Sequence, residues 1–265
     1  MVNFTSRFQR LELKFLVGQD VADRVRRQIE PYCMPDTHCR AAAQGRAGRV
    51  GYPIESLYLD SPALALHAAK ERGDPNRVKL RIRTYSSTSP GLLEVKRRRA
   101  NIIDKTRAIV NRDQVEEAAS GRFQRPAGGP TDSRVVDEFS LIAAAVGAEP
   151  TLTVRYDREA YMSIVDDYAR VTFDRRIQVR RADGWTLNPE TSDWCHFDEH
   201  WGSAHPTPPI VMEIKCEHMI PAWISDVVQN NELQQSSFSK YSIGIEITNR
   251  AMGRFARSRS YEALR

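Results

Sequence analysis

A glutamate followed two residues later by a lysine recurs at three separated places in the chain, Glu12/Lys14, Glu94/Lys96 and Glu213/Lys215, and Lys79, Arg81 and Arg83 share the same spacing. Side chains two apart on a β-strand point to one face. By that rule Arg10, Glu12 and Lys14 oppose Leu11, Leu13 and Phe15, while Lys79, Arg81 and Arg83 oppose Val78, Leu80 and Ile82. Glu94, Lys96 and Arg98 oppose Leu93 and Val95; Arg155 alternates with Val154 and Tyr156. Glu213 and Lys215 oppose Met212, Ile214 and Cys216, and Glu246 opposes Ile245 and Ile247. For any single strand, a charged face meeting water is the ordinary outcome. Across the set, Arg, Lys and Glu take nearly every polar position, and a closing sheet would gather them into one lumen.

Cations held that close repel unless carboxylates, water or an anion compensate. A chain of phosphates suits such a site: arginine contacts its oxygens in bidentate fashion and lysine supplies point charge. The glutamates on these faces, Glu12, Glu213 and Glu246, are candidate ligands for Mg²⁺ or Mn²⁺, which take oxygen donors and bridge carboxylate to phosphate. Arg10, Lys79 and Arg98 are candidate substrate-binding cations by their facing.

The elements that must position these groups follow from periodicity. Residues 8–17 predict a strand, and Val21, Val25 and Ile29 a helix ended by Pro31. Residues 40–49 read as a loop, 54–60 as a strand, and Ser61-Pro62 as the start of a helix reaching Glu71. A hairpin is expected over 77–85 and 91–99, and helices over 111–119 and 134–146 around a Gly/Pro-rich linker at 121–130. Four strands are expected at 151–157, 160–165, 168–174 and 176–181, then a Trp-containing segment to Pro209 and a strand at 210–216. A helix from Pro221 to about Leu233 and a last strand at 241–248 complete the set, an α+β pattern around one large sheet or barrel.

The 265 residues carry a formal charge of +5, a mild excess that favours an anionic partner. No apolar run approaches a membrane span and residues 1–7 resemble no signal peptide, so a cytoplasmic protein is expected. The four cysteines form no CxxC pair, which fits a reducing compartment. Cys195, His196, His200 and His205 lie close in sequence but fit no standard zinc spacing, and Gly45 to Arg49 lacks the phosphate-loop arrangement. Ser239 has no base placed by sequence except its neighbour Lys240, which argues against a serine hydrolase.

Taken in order, R-x-E-x-K-F at Arg10 to Phe15, S-L-Y-L-D at Ser56 to Asp60, K-L-R-I-R at Lys79 to Arg83 and L-E-V-K at Leu93 to Lys96 carry a family pattern. It continues with T-V-R-Y-D-R at Thr153 to Arg158, M-E-I-K at Met212 to Lys215 and F-S-K-Y at Phe238 to Tyr241. Together these segments resemble the VTC domain, of polyphosphate polymerase type, in the CYTH or triphosphate tunnel metalloenzyme superfamily. The resemblance implies a single domain over 1–265, an eight-stranded antiparallel β-barrel tunnel with helices packed outside. It also implies ATP-dependent polyphosphate synthesis with Mn²⁺ or Mg²⁺. Lys14, Arg81, Arg83, Lys96, Arg155 and Lys240 match positions that bind the phosphate chain, Glu213 matches the metal carboxylate, and Ser239 and Lys215 share those motifs. Glu94 and Arg158 join them by facing and proximity. Where tunnel hydrolases begin E-x-E-x-K, this chain has Arg10, which favours transfer to phosphate over hydrolysis. A tunnel triphosphatase and a non-catalytic polyphosphate binder remain the alternatives. The partners expected are ATP and polyphosphate or triphosphate, with no nucleic acid, because the charged faces hold few aromatics for stacking.

Overall fold

Alternation of charged and branched apolar residues sets the strands, and a computed structural model describes them within residues 10–44, 51–100, 102–122, 133–166, 168–197, 209–217 and 219–262. In chain order the elements begin β1 (Arg10–Val17), α1 (Gln19–Ile29), β2 (Cys33–Pro35), α2 (Thr37–Ala43), β3 (Tyr52–Asp60), α3 (Ala65–Glu71), β4 (Asn76–Thr84), β5 (Gly91–Arg99) and β6 (Ile102–Val110). They continue α4 (Val115–Ala119), α5 (Ser133–Val146), β7 (Glu149–Ser163), β8 (Ala169–Arg181), β9 (Cys195–His196), β10 (Ile210–Glu217), α6 (Ala222–Asn230) and α7 (Lys240–Glu262). One sheet runs β1-β10-β8-β7-β3-β4-β5-β6, with β2 beside β7 and β9 beside β8. All its pairings are antiparallel.

On β1, β4, β5 and β10 the apolar positions turn outward under helices. Leu57, Leu80, Ile82 and Leu93 are buried with Val115 of α4 and Phe139 of α5. Phe15, Val171, Phe173 and Met212 are buried with Ile29 of α1 and Ile224 of α6. Each such side chain contributes about 1.5–3 kcal/mol by leaving water. The charged positions turn to the other face, and the sheet curls around them until its two ends meet through side chains: Lys96 of β5 donates to Glu12 of β1 at 3.0 Å.

The expected closed barrel is corrected to an open, curled sheet, for β1 and β6 do not pair among the described residues. The outer edge of β1 is taken by the chain between α6 and α7: Phe15 bridges Gln235, and the Ser236 N–H donates to the Lys14 carbonyl at 2.8 Å. The strand expected at 241–248 is the start of α7. Its isoleucines alternate, but Tyr241, Ile245 and Thr248 are buried at helical spacing while Glu246 is exposed. Ser239 supplies the cap, accepting from the Ser242 N–H at 3.3 Å. The first turns of α7 lie inside the curl, against Leu152, Val154 and Val179, so the helices are not all outside. Gly244 permits that approach, since a Cβ there would sit 2.5 Å from Leu152 Cδ2.

Three smaller differences have local causes. The four strands expected between 151 and 181 are two long ones, because Arg176, at φ 50°, absorbs a bulge and the chain does not turn there. Helix α3 starts at Ala65, where Asp60 accepts from the Leu66 and His67 N–H groups at 2.8 and 2.9 Å. Residues 37–43, half of them assigned to a loop, form α2, capped by Asp36 accepting from the Cys39 N–H at 2.8 Å. Gly45 to Arg49, His200 and His205 lie outside the described residues.

Candidate active site

The inner face of the curl encloses a cavity of about 1150 Å³. Twelve lysines and arginines line it against three carboxylates, Glu12, Asp36 and Glu213, so its charge is strongly positive.

One wall comes from β4, β5 and β6. The register pairs Arg81 with Glu94 and Glu94 with Arg107, so one carboxylate collects cations from both neighbours. Glu94 is 1 % exposed. It accepts from Arg81 Nε at 2.6 Å, Lys105 Nζ at 2.6 Å and Arg107 Nε at 3.0 Å, with Arg83 Nε at 3.9 Å. Burial alone would raise its pKa, but Arg81, Arg83, Lys105 and Arg107 hold it well below the usual carboxylate range. Arg83 is buried, yet its hydrogen bonds to Ser56 Oγ and the Tyr156 hydroxyl are both long, at 3.4 Å. Its guanidinium therefore keeps donor capacity for an anion.

The opposite wall comes from β1, β10, β8, β7 and the start of α7. Asp174, fully buried, takes a bidentate pair from Arg158 at 2.7 and 2.7 Å and an ion pair from Lys240 at 2.6 Å. Glu213 accepts from Lys215 at 2.7 Å and lies 3.7 Å from both Lys14 and Lys240. Glu12 meets Lys14 at 3.2 Å. Its carboxyl would be raised by burial, but Lys215, Lys96 and Lys14 bring it down to about 2. Burial would depress Lys240, but Asp174 and Glu213 raise it above the ordinary lysine range. Lys79 differs: burial, then the like charges of Lys96, Lys14 and Arg81, pull it down to about 7. Its Nζ donates to Ser239 Oγ at 3.0 Å, so a titratable group that the sequence did not place stands beside that serine.

Lys14, Lys79, Arg81, Arg83, Lys96, Arg158, Lys215, Ser239 and Lys240 thus converge with Glu12 and Glu213, and Glu94 sits directly behind them. Arg155 does not join them. At this level the inward positions of β7 are Val154 and Tyr156, because α7 fills the curl there. Arg155 turns outward, bonds Gln178 and lies 3.9 Å over the Trp194 ring. Arg98 is exposed and donates to the Ala100 carbonyl at 2.7 Å, beyond the end of the cavity. Glu246 is exposed on α7, so its place as a metal ligand is withdrawn. The side chain of Arg10 lies outside what the structure describes.

Sequence reasoning missed Lys105 and Arg107, whose strand β6 went unread although they share the two-residue spacing. It also missed Arg170 and Asp174, which alternate with Val171 and Phe173. Arg170 donates to Asp36 at 2.8 Å.

The donor set bears on a metal. Among the described residues no three His, Cys, Asp or Glu side chains cluster as a ready-made site. Glu12 and Glu213 come from paired strands and both reach Lys14, which brings two carboxylates together. Two carboxylates completed by phosphate oxygens and water fit a hard divalent cation.

Fold and cavity together define a mixed α/β protein in which one curled antiparallel sheet surrounds a cation-rich cavity buttressed by buried carboxylates. The model of the VTC domain matches residues 9–249, and the chain belongs to that family. Among curated proteins no relative matches. Solved structures similar to this chain include two with a TM-score of 0.43 each. The PH1819 protein of Pyrococcus horikoshii OT3 shares 14% identity over 89% of this chain and 98% of its own. A proposed adenylate cyclase of Vibrio parahaemolyticus shares 13% over 90% and 98%. At that similarity neither bears on what this chain does.

Proposed function

We propose that the chain is a polyphosphate polymerase that transfers the γ-phosphoryl group of ATP onto the end of a polyphosphate chain held in the cavity. The observation that carries this reading is the twelve lysines and arginines facing one enclosed space with only three lining carboxylates. Membership of the VTC family supports it.

In this mechanism Arg81, Arg83 and Lys96 clamp the β- and γ-phosphates of ATP, and Arg158 and Lys240 orient the acceptor chain. A terminal phosphate oxygen attacks the γ-phosphorus in line, the bond to the β-phosphate oxygen breaks, and ADP leaves with its charge neutralised by the guanidinium groups. The attacking oxygen is already anionic, so no general base is required. The carboxylates suit that chemistry: Glu12, Glu213 and Asp174 are all ion-paired and held low, which makes them poor bases. Glu213 and Glu12 would hold Mn²⁺ or Mg²⁺ with the phosphate oxygens. A bound divalent cation supplies charge neutralisation on the transferring group. Lys79 regains its proton when the polyanion enters, and then acts as one more cation.

Incubation with ATP and Mn²⁺ tests the proposal. Long polymer with stoichiometric ADP is expected. Orthophosphate alone would replace the polymerase with a triphosphatase, and tight polyphosphate binding without turnover would leave a passive binder.

A further inference from the structure

The phosphate chemistry leaves one corner of the cavity unused. His38 of α2, Tyr52 of β3 and Tyr85 at the end of β4 all line it. His38 stacks on Tyr85 at 4.8 Å and 17°, and lies 5.1 Å from Tyr52. Tyr52 is buried and tied down, its hydroxyl donating to Asp36 at 3.1 Å and accepting from Arg170 at 3.2 Å. His38 is exposed and Tyr85 half-buried, so the pair presents aromatic surface at the rim. Its backbone is anchored: the Tyr85 N–H donates to Ser89 Oγ at 2.9 Å.

An inorganic phosphate chain has no flat face, and aromatic rings offer it nothing. A nucleoside triphosphate carries both chemistries, a planar base and a phosphate chain a few ångströms away. The corner adjoins the donor clamp, because Tyr85 follows Arg83 by two residues along the same stretch of chain and both line the cavity. Arg158 and Lys240 flank the next inward ring, Tyr156, at 5.3 and 4.7 Å.

We propose that His38 and Tyr85 form a stacking platform for the base of the donor nucleotide at the rim of the cavity. The inference rests on the polymerase reading and adds to it the residues that would hold the base of the donor nucleotide. Stacking is tolerant of base identity, because every base has a π-face. Asp36, already paired with Arg170, does not set adenine apart from guanine.

Isothermal titration of the whole chain with ATP, GTP and inorganic tripolyphosphate tests it, comparing wild type with the double variant His38→Ala/Tyr85→Ala. ATP and GTP affinities should each fall about tenfold in the variant, while tripolyphosphate affinity stays within about twofold. Because His38 is exposed, His38→Ala alone serves if the double variant does not fold, with about a threefold loss on both nucleotides. Wild-type protein that binds all three ligands, with variants that lose nothing on nucleotides or lose equally on tripolyphosphate, overturns the platform alone. Wild-type protein that binds none of them overturns the underlying polymerase reading, and the platform with it.

Discussion

The wall formed by β4, β5 and β6 and the wall formed by β1, β10, β8, β7 and α7 both bury carboxylates beneath cations, in different proportions. The first carries Lys79, Arg81, Arg83, Lys96, Lys105 and Arg107 with one carboxylate of its own, Glu94, which Arg81, Arg83, Lys105 and Arg107 share while Lys96 reaches across to Glu12. On the second, Lys14, Arg158, Lys215 and Lys240 face Glu12, Glu213 and Asp174. The first wall therefore has a large uncompensated charge, and the second is close to neutral. An excess of buried cations is tolerable only if a ligand or water completes it, so under the proposed function anion capture falls to the first wall. The second wall fixes its cations in set positions by pairing them with its carboxylates.

Breaking the first wall at its one counter-charge should have the largest effect. Glu94→Gln leaves four cations around a neutral amide, and loss of one partner in a buried ionic cluster costs about 3–5 kcal/mol. Urea unfolding should show that loss, and tripolyphosphate should restore much of it by binding the folded state. Stability unchanged in the absence of ligand would mean that water already screens these cations. Next in size is Arg83→Ala, which removes the guanidinium with the weakest protein hydrogen bonds and leaves Arg81, Lys105 and Arg107 on Glu94. Polymer formation from ATP should drop about 100-fold with the unfolding midpoint little changed. Normal turnover would take Arg83 out of the clamp.

The first wall was the more legible in sequence. Lys79, Arg81, Arg83, Glu94 and Lys96 sit on a hairpin whose outer face is apolar at Val78, Leu80, Ile82, Leu93 and Val95, so period-2 alternation alone assigns the inside. Lys105 and Arg107 obeyed the same rule and were lost only because β6 was not recognised as a strand. On the second wall alternation misleads. The inside of the curl is polar near Arg158 and apolar near Val154, since α7 enters from one end, and no local pattern reveals a helix from a distant part of the chain. The same helix was itself misread, because Ile243, Ile245 and Ile247 satisfy a strand period as readily as the burial of Tyr241, Ile245 and Thr248 satisfies a helical one. Closure of the sheet was equally hidden, as it depends on whether β6 or Gln235 and Ser236 occupies the edge of β1.

Lys79 offers a finer probe of the uncompensated wall through pH. Its ammonium is lowered to about 7, mainly by burial and then by Lys96, Lys14 and Arg81, whereas the unfolded chain holds it near the ordinary value of about 10.4. Between those values the unfolded state binds more protons than the folded state, so this group makes stability rise with pH from about 7 upward. A polyanion restores the ammonium, so binding takes up a proton above pH 7 and affinity falls with rising pH, by up to about tenfold per unit. Titrations with tripolyphosphate in buffers of different ionisation enthalpy should detect that uptake, and Lys79→Met should abolish it. A pH slope that survives in Lys79→Met would assign the proton to another group.

The smallest expected effect is that of Arg155→Ala, read against Arg158→Ala on the same strand, β7. Family resemblance nominated Arg155, and the geometry puts Arg158 in its place, three residues along and on the other face of the strand. Arg158→Ala removes the bidentate partner of Asp174 and a cavity cation, and should lower polymer synthesis about 100-fold. Arg155→Ala removes only an outward guanidinium stacked on Trp194. Its cost should be confined to stability, at about 1 kcal/mol for the lost cation–π contact, with turnover within about twofold of wild type. Side-by-side rates and unfolding midpoints for the two variants decide it. If Arg155→Ala proved the more damaging to turnover while leaving the unfolding midpoint intact, the inward and outward faces of β7 at this level would have to be exchanged. The near-neutral balance of the second wall would then have to be drawn again without Arg158.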